Sequence, residues 1–290
     1  MTTWAFVLVL TSAIFHATWN FFLKQSSHKT AFLWAFTAVS FVVFLIPAAV
    51  ITASDGLTLE AVGFGAVSAL IHGGYGFALA RGYQLGDLSS VYPISRGVGP
   101  ALIPLAAVLI LDESVSAGAA VGIALVVLGI YTIHVESWTV RDVLRPLNAL
   151  RRPATRVALL TGGFITCYSL WDKTALDHLT PLGLNEFSLV GYLVSLAPLT
   201  FRNGATALRE EWRERRRSIV VAGICAPLAY VLVLTALTVS RVSYVAPTRE
   251  VGIVLGALAG VLFLGEGYGG SRVGGSVLIV AGVLTIGVSP

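Results

Sequence analysis

Charged residues are scarce in this sequence. Only 12% of the 290 residues are Asp, Glu, Lys or Arg, whereas 56% are hydrophobic. A typical soluble domain carries about 25% charged residues, which cover its surface. The low charged fraction excludes an ordinary soluble fold, because most of the surface must contact lipid rather than water.

The sequence also lacks the patterns of several other protein classes. Its two cysteines, Cys167 and Cys225, lie inside apolar runs, which indicates neither a disulfide framework nor a zinc site. No HExxH, P-loop or GxSxG pattern occurs along the chain. We therefore expect no cofactor, no metal and no enzymatic activity.

Long apolar runs are what the sequence has instead. A helix needs about 20 apolar residues to cross a bilayer. Runs of that length occur near residues 3–23, 31–51, 60–80, 89–110, 116–134, 157–176, 182–201, 218–239, 244–264 and 269–287. We therefore predict an all-α integral membrane protein with ten transmembrane helices. The first run has no basic residue before it, so we expect a retained helix rather than a signal peptide.

The basic residues indicate how these spans are oriented, because loops rich in Lys and Arg stay in the cytoplasm. Of the 19 basic residues, only Lys173 and Arg241 fall in the loops of one side, and Arg96 and Arg249 lie within spans. We predict a multi-pass protein of the cytoplasmic (inner) membrane with both termini on the non-cytoplasmic side. The basic segment 206–217 is interpreted as a short helix on the inner leaflet, and no nucleic-acid partner is expected.

Matching landmarks recur in the two halves of the chain. The matched pairs, at offsets of 152 to 154 residues, are Glu113 and Glu266, Gly122 and Gly275, Gly129 and Gly282, Trp19-Asn20 and Trp171-Asp172, and Pro93 and Pro247. Because each half has five spans, an odd number, the second half enters the membrane upside down. We therefore predict two inverted five-helix repeats around a central cavity, at 1–135 and 157–290, joined by a basic cytoplasmic linker at 136–156.

The sequences at the ends of the halves resemble a known family. The stretches LDESVSAGAAVGIALVVLGIY and LGEGYGGSRVGGSVLIVAGVL are similar to the ends of EamA-type domains of the drug/metabolite transporter superfamily, and HATWNFFLKQS in the first span resembles the same group. The resemblance implies a ten-helix carrier with a central cavity. It leaves the substrate open, since members carry amino acids, sugars, nucleotide sugars and other metabolites. Small multidrug members couple protons through a glutamate in the first helix, and this first helix has no acidic residue.

Polar residues inside the spans are the candidates for a binding site, because a charged side chain at mid-membrane costs about 2.5–3.5 kcal/mol and needs a cavity or a partner. The candidate substrate-binding residues are His16, Trp19, Asn20, His72, Tyr75, Tyr92, Arg96, Tyr168, Trp171, Asp172, Arg249 and Glu250. Trp19 and Trp171 are also compatible with packing anchors. His72 is compatible with substrate binding, with proton relay or with a buried structural role.

Three charged candidates invite a more specific interpretation. By the repeat offset Arg96 matches Glu250, so the two are predicted to face each other across the cavity, either paired or holding the two ends of an amphoteric substrate. Arg249 points about 100° away from Glu250 on a regular helix. Both reach the cavity only if the helix is kinked, and Pro247 could supply the kink. Glu113 and Glu266, at the starts of loops, are interpreted as helix-capping or turn residues.

These observations favour a secondary transporter that moves a small polar or amphoteric metabolite across the cytoplasmic membrane by alternating access. An amino acid or related compound is favoured, because the cavity candidates combine both charge signs with aromatic rings. The partners are then a small-molecule substrate and the lipid bilayer, with coupling to protons or to solute exchange. Two alternatives stay open, an intramembrane lipid-modifying enzyme that uses Asp172, Glu186 and His72, and a passive pore or membrane adaptor.

Overall fold

The computed structural model describes residues 1–85, 88–133, 153–202, 204–265 and 269–290, with the backbone alone at 53–55, 83–84, 88–96 and 264. Most of the predicted linker at 136–156 therefore lies outside the described residues, as does Glu266. All regular elements of the described residues are α-helices. The predicted all-α class is confirmed.

Helices α1 to α5 form the first half of the chain. Their bounds are α1 Thr3–Gln25, α2 Lys29–Asp55, α3 Leu59–Leu85, α4 Leu88–Ile110 and α5 Ala117–Ile133. Local signals set the ends of these helices. The Thr2 side chain accepts a hydrogen bond from Ala5 N at 3.2 Å and caps α1. Gly56, at φ +81°, ends α2 in a conformation that favours glycine.

Helices α6 to α11 form the second half. Their bounds are α6 Pro153–Ala175, α7 Pro181–Phe201, α8 Thr206–Val239, α9 Val242–Thr248, α10 Val251–Leu264 and α11 Gly270–Val288. The ninth span consists of α9 and α10, which are separated by a turn at Arg249 and Glu250. Pro247 precedes the turn, and proline can neither donate a backbone hydrogen bond nor tolerate the carbonyl four residues earlier. The predicted kink in this span is confirmed.

The outer surface of the bundle is apolar, as a lipid-facing surface must be. On α2, the side chains of Val42, Ile46 and Val50 are 69%, 72% and 66% exposed. These residues are four apart and so share one face of the helix. Nearer the start of the same helix, Phe32 and Phe36 are buried. Seven apolar segments in the described part of the chain are long enough to cross a membrane, and α5 and part of α4 add two shorter ones.

Helices α5 and α11 cross so closely that only glycine fits at the contact. A Cβ atom on Gly129 would lie 2.7 Å from the carbonyl oxygen of Gly275, and one on Gly282 would lie 2.5 Å from that of Gly122. The earlier glycine of α5 thus meets the later glycine of α11, so the two helices run antiparallel. Because α5 and α11 are equivalent helices of the two repeats, the halves are inverted, as predicted.

The two halves are interleaved rather than laid side by side. Helix α1 packs on α8 and α10, α3 packs on α6 and α7, and α4 packs on α6. Helices α1 and α6 are the first helices of their repeats, and α3 and α8 are the third. The contact between α1 and α8 is therefore equivalent by repeat symmetry to the contact between α6 and α3. A space enclosed by α1, α3, α6 and α8 is therefore bounded by both halves.

Two glutamates accept hydrogen bonds from backbone N–H groups at the ends of helices that are distant in the sequence. Glu113 accepts hydrogen bonds from Val242 N at 2.8 Å and Ser243 N at 2.9 Å, at the start of α9. Its predicted capping role is confirmed. Glu211, in the basic segment at the start of α8, accepts from Ser27 N and His28 N in the loop between α1 and α2. The segment is helical up to a kink at Arg215, where φ is −128° and ψ is 22°.

Candidate functional site

A cavity lies between the two halves. Helices α1, α2 and α3 contribute to its wall from the first half, and α6, α7 and α8 contribute from the second. Arg249, in the turn between α9 and α10, also lines it. Pro227 of α8 lies in the wall. The cavity therefore coincides with the region where the repeats meet.

Aromatic rings form one end of this cavity. His72 stacks on Tyr168 with ring centroids 4.4 Å apart, and Tyr192 and Tyr230 meet the imidazole edge-on at 5.7 and 5.5 Å. Tyr75 packs edge-on against Tyr168 and Tyr192. These rings come from α3, α6, α7 and α8, so they lock helices of both halves around the cavity.

A buried hydrogen-bond network lies directly behind the rings. Asp172 is completely buried, and its Oδ1 lies 2.6 Å from Ser68 Oγ. The Tyr230 hydroxyl contacts the other carboxylate oxygen, Oδ2, and lies 3.1 Å from His72 Nε2. On the far side of the imidazole, Nδ1 lies 3.0 Å from the Ser68 carbonyl oxygen. The network connects α3, α6 and α8, and Tyr230 and His72 open it to the cavity.

The cation of the cavity is Arg249. The helix break after Pro247 places this residue on the cavity wall. Within the part of the chain that the structure describes, no hydrogen bond or ion pair joins its guanidinium to another residue. The polar side chains of Asn185 and Ser188 line the same space. The described lining of the cavity therefore combines a cation, hydrogen-bonding groups and aromatic faces.

Six of the twelve predicted site residues line the cavity. They are His16, Trp19, His72, Tyr75, Tyr168 and Arg249. Asp172 lies one hydrogen bond behind the wall, through Tyr230. Glu250 is buried at 6% exposure and is not part of the cavity lining. The side chains of Tyr92 and Arg96 lie outside the described residues, so the predicted Arg96–Glu250 pair stays a prediction.

Asn20 and Trp171 do not line the cavity. The Asn20 amide donates to the His16 carbonyl of its own helix at 2.8 Å, which satisfies it locally. The Trp171 indole N–H donates to Phe64 O at 3.0 Å and packs against the Phe64 ring, 5.2 Å between centroids. Trp19 and Trp171 occupy equivalent positions in the two repeats, but of the two only Trp19 lines the cavity.

Three members of the aromatic cluster and the hydrogen-bond network were absent from the predicted set, as were the polar lining residues Asn185 and Ser188. Ser68 precedes His72 by four residues and so shares its helix face, a spacing that could have found it. Tyr192 and Tyr230 are single tyrosines in apolar runs of α7 and α8, where a tyrosine needs a partner for its hydroxyl. A lone tyrosine gives no indication of which helix supplies that partner.

Inverted helical repeats that enclose a polar cavity at their interface define the architecture of secondary transporters. The sequence matches the EamA-like transporter family over residues 3–135 and 155–288. The fold matches 28 chains of solved structures. One of them, a crystal structure of a protein 15% identical in sequence, covers 98% of this chain and 96% of its own, with a TM-score of 0.74. No curated protein matches the chain.

The chain belongs to the EamA-like transporter family. It is a multi-pass membrane transporter of the drug/metabolite transporter type, built from two inverted repeats. The family is one of transporters rather than enzymes.

Proposed function

We propose that this protein is a secondary transporter that carries an amino acid or a related amphoteric metabolite across the cytoplasmic membrane. Arg249 is the observation that carries the proposal. A guanidinium in a membrane cavity that has no hydrogen-bond or ion-pair partner among the described residues is costly, and a carboxylate is the group that pairs with it best. A substrate carboxylate at Arg249 would supply the missing partner.

The rest of the cavity suits the other end of such a molecule. The faces of Tyr75, Tyr168 and Tyr192 attract an ammonium group through their π electrons. Asn185 and Ser188 offer hydrogen-bonding groups that fix orientation. We infer that a small amphoteric solute binds here, with its carboxylate towards Arg249 and its ammonium towards the tyrosines.

Alternating access follows from the position of the cavity in this proposal. Both halves contribute to its wall, so rocking of one repeat against the other would expose it to each side in turn. The broken ninth span carries Arg249 between α9 and α10 and offers a hinge beside the substrate. A carrier of this kind saturates and exchanges substrates, whereas a passive pore does neither.

Counterflow in proteoliposomes tests the function. Vesicles are loaded with an unlabelled amino-acid mixture, and the uptake of single labelled amino acids is followed over time. We expect saturable uptake with an overshoot for at least one amino acid. Absence of counterflow for all of them, or flux that stays linear in concentration, would contradict the proposal.

The Arg249→Gln variant tests the proposed carboxylate contact. Loss of a charge-assisted hydrogen bond costs about 1.5–3 kcal/mol, which corresponds to a rise in KM of roughly 10- to 100-fold. Arg241→Gln is the matched control, because Arg241 is exposed and does not line the cavity. Equal KM values for the two variants would exclude Arg249 as the anchor of the substrate.

A further inference from the structure

The network of Ser68, His72, Asp172 and Tyr230 contains more hydrogen-bond contacts than it has polar hydrogens when Asp172 is ionised and His72 is neutral. Four contacts need one hydrogen each: Ser68 Oγ to Asp172 Oδ1, Tyr230 Oη to Asp172 Oδ2, Tyr230 Oη to His72 Nε2, and His72 Nδ1 to the Ser68 carbonyl. A carboxylate, a neutral imidazole and two hydroxyls supply three hydrogens, one from each hydroxyl and one from the imidazole.

The shortage does not depend on which imidazole nitrogen carries the hydrogen. If Nδ1 carries it, the single hydrogen of Tyr230 must serve both Asp172 and His72 Nε2. If Nε2 carries it, Nδ1 faces the Ser68 carbonyl, which can only accept, with two lone pairs opposed at 3.0 Å. Ser68 Oγ also approaches Nδ1 at 3.3 Å, but its hydrogen is directed to the nearer Asp172 oxygen at 2.6 Å.

One additional proton completes every contact. In one arrangement His72 is an imidazolium that donates from Nδ1 to Ser68 O and from Nε2 to Tyr230, and Tyr230 donates to the Asp172 carboxylate. In the other arrangement Asp172 is a carboxylic acid that donates to Tyr230, and Tyr230 donates to His72 Nε2. The two arrangements contain the same number of protons and differ only in where the proton lies along the chain.

Burial makes the additional proton matter. Asp172 and Ser68 are 0% exposed and His72 is 1% exposed, so no bulk water can fill an unmade contact at these groups. A buried acceptor without a donor costs about 1–3 kcal/mol. Tyr230 is the member that is partly exposed and lines the cavity. A proton leaving the network would therefore pass through the Tyr230 hydroxyl to water in the cavity.

We propose that Ser68, His72, Asp172 and Tyr230 form a proton-binding site whose occupancy is coupled to substrate binding in the adjoining cavity. With the proton bound, the network is neutral overall and Arg249 leaves the cavity with a positive charge. With the proton released, the network carries a negative charge that offsets Arg249. That negative charge repels a substrate carboxylate at Arg249 and attracts a substrate ammonium at the tyrosines, so occupancy of the proton site changes substrate binding in the cavity.

Several other ionisable groups lie around the network among the described side chains. Tyr75 faces it from α3, Tyr168 from α6 and Tyr192 from α7, and Arg249 shares the cavity from the α9–α10 turn. His16 lines the cavity from α1, and on α7 the Asn185 amide donates to Glu186 Oε1 at 3.3 Å, whereas the buried Oε2 of Glu186 has no hydrogen-bond partner among the described residues. Asp172 and His72 are thus the groups of the network able to exchange a proton with cavity water.

Proton counting on the purified protein in nanodiscs tests the site without any substrate. The wild type is titrated between mildly basic and mildly acidic pH and compared with Asp172→Asn, whose amide brings its own hydrogens to the network. We expect the wild type to bind about one more proton per chain. Asp177→Asn, which removes an exposed carboxylate from the same helix end, is the control and should match the wild type over this range. Equal counts for the wild type and Asp172→Asn would overturn the proposal.

Infrared difference spectra of the wild type, recorded across the same pH step, give a second measurement that does not require a variant to fold. We expect the bands of an ionising carboxyl or imidazole to appear, to shift in Tyr230→Phe and to be absent in Asp172→Asn. Unchanged bands in both variants would place the titrating group elsewhere and contradict the site.

The coupling between proton binding and substrate binding rests on the proposed transport function, whereas the existence of the proton site does not. It is tested by imposing a pH gradient on counterflow vesicles and measuring substrate accumulation and proton movement. We expect accumulation driven by the gradient in the wild type and none in Asp172→Asn. Counterflow that ignores the gradient would refute the coupling and leave the transport function standing. A proton bound in nanodiscs without counterflow of any amino acid would refute the transport function and, with it, the coupling, while the proton site itself would stand.

Discussion

Three carboxylates in this protein accept hydrogen bonds from segments distant in the sequence. Glu113 accepts from the first residues of α9, Glu211 accepts from the loop between α1 and α2, and Asp172 accepts from α3 and α8. The first two occupy helix starts, where backbone N–H groups have no partner within the helix. Asp172 lies among side chains that can exchange a proton. Glu113 and Glu211 therefore connect segments of the bundle, whereas Asp172 belongs to the hydrogen-bond network beside the cavity.

Glu113 is expected to contribute measurably to stability. It accepts from two backbone N–H groups and from Ser243 Oγ at 2.6 Å, so Glu113→Ala leaves the start of α9 uncapped. We expect a loss of about 1–3 kcal/mol, measured as a lower Tm in detergent. Asp177→Ala, at an exposed position, should leave Tm unchanged. An equal Tm for Glu113→Ala and the wild type would show that the cap contributes nothing.

Among the helices, the crossing of α5 and α11 depends on the absence of side chains. The backbones meet at Gly122 with Gly282 and at Gly129 with Gly275. In lipid, helices gain little from burying apolar surface against each other, and close packing supplies the attraction instead. The crossing joins the last helices of the two repeats and holds the halves in their inverted arrangement.

Gly129→Ala is expected to destabilise this crossing. The added methyl would lie 2.7 Å from the Gly275 carbonyl oxygen, backbone that cannot move aside without shifting a helix. We expect a cost of about 1–3 kcal/mol, seen as a lower Tm. Gly163→Ala is the matched control, since a Cβ there meets nothing within 4 Å and alanine favours the helix. If the two variants unfold at the same temperature, the crossing is not tightly packed in solution.

The basic segment at the start of α8 is expected to loosen when its anchor is removed. Glu211 is 2% exposed and binds the backbone N–H groups of Ser27 and His28. In Glu211→Gln the acceptor loses its charge, so the segment should dissociate more often and trypsin should cleave faster at Arg213 and its neighbours. Glu60→Gln, at an exposed carboxylate outside the segment, should keep the wild-type cleavage rate. Equal rates in both variants would show that Glu211 does not hold the segment.

Across the whole molecule, the ends of the chain lie at the same side. The Met1 amine donates to Ser289 O at 2.9 Å, and the Tyr244 hydroxyl donates to Pro290 O at 2.8 Å. An even number of spans requires this arrangement. The distribution of basic residues predicts that this side is non-cytoplasmic, with Ser27 and the basic start of α8 in the cytoplasm.

Cysteine labelling tests the orientation. In a background with Cys167→Ala and Cys225→Ala, cysteines are placed at Ser27 and Thr58, exposed positions before and after α2. We expect a membrane-impermeant maleimide to label Thr58→Cys in intact cells and Ser27→Cys only after permeabilisation. The reverse result would invert the predicted topology, and labelling of both in intact cells would exclude α2 as a span.

The elements were largely predictable because their signals are local. The length of each apolar run, the glycines repeated at an offset of 153 residues, and Pro247 within the ninth span each act over one helix. Seven of the predicted residues line the cavity or form a hydrogen bond to its wall. They could be predicted because a polar side chain within a membrane span must avoid contact with lipid. Trp171 was included among the predicted site residues because it matches Trp19 in the repeat, although its indole N–H donates to Phe64 O.

The sequence by itself determined that ten apolar helices form two opposed halves, since hydrophobic length, charge asymmetry and repeat spacing are all written along the chain. Only the tertiary structure decided which polar groups meet. Ser68 and Asp172 are 104 residues apart, and His72 and Tyr230 are 158 apart. Their contacts depend on the rotation of each helix about its axis and on which neighbour it faces. Packing of the whole bundle fixes both quantities, and no single helix does.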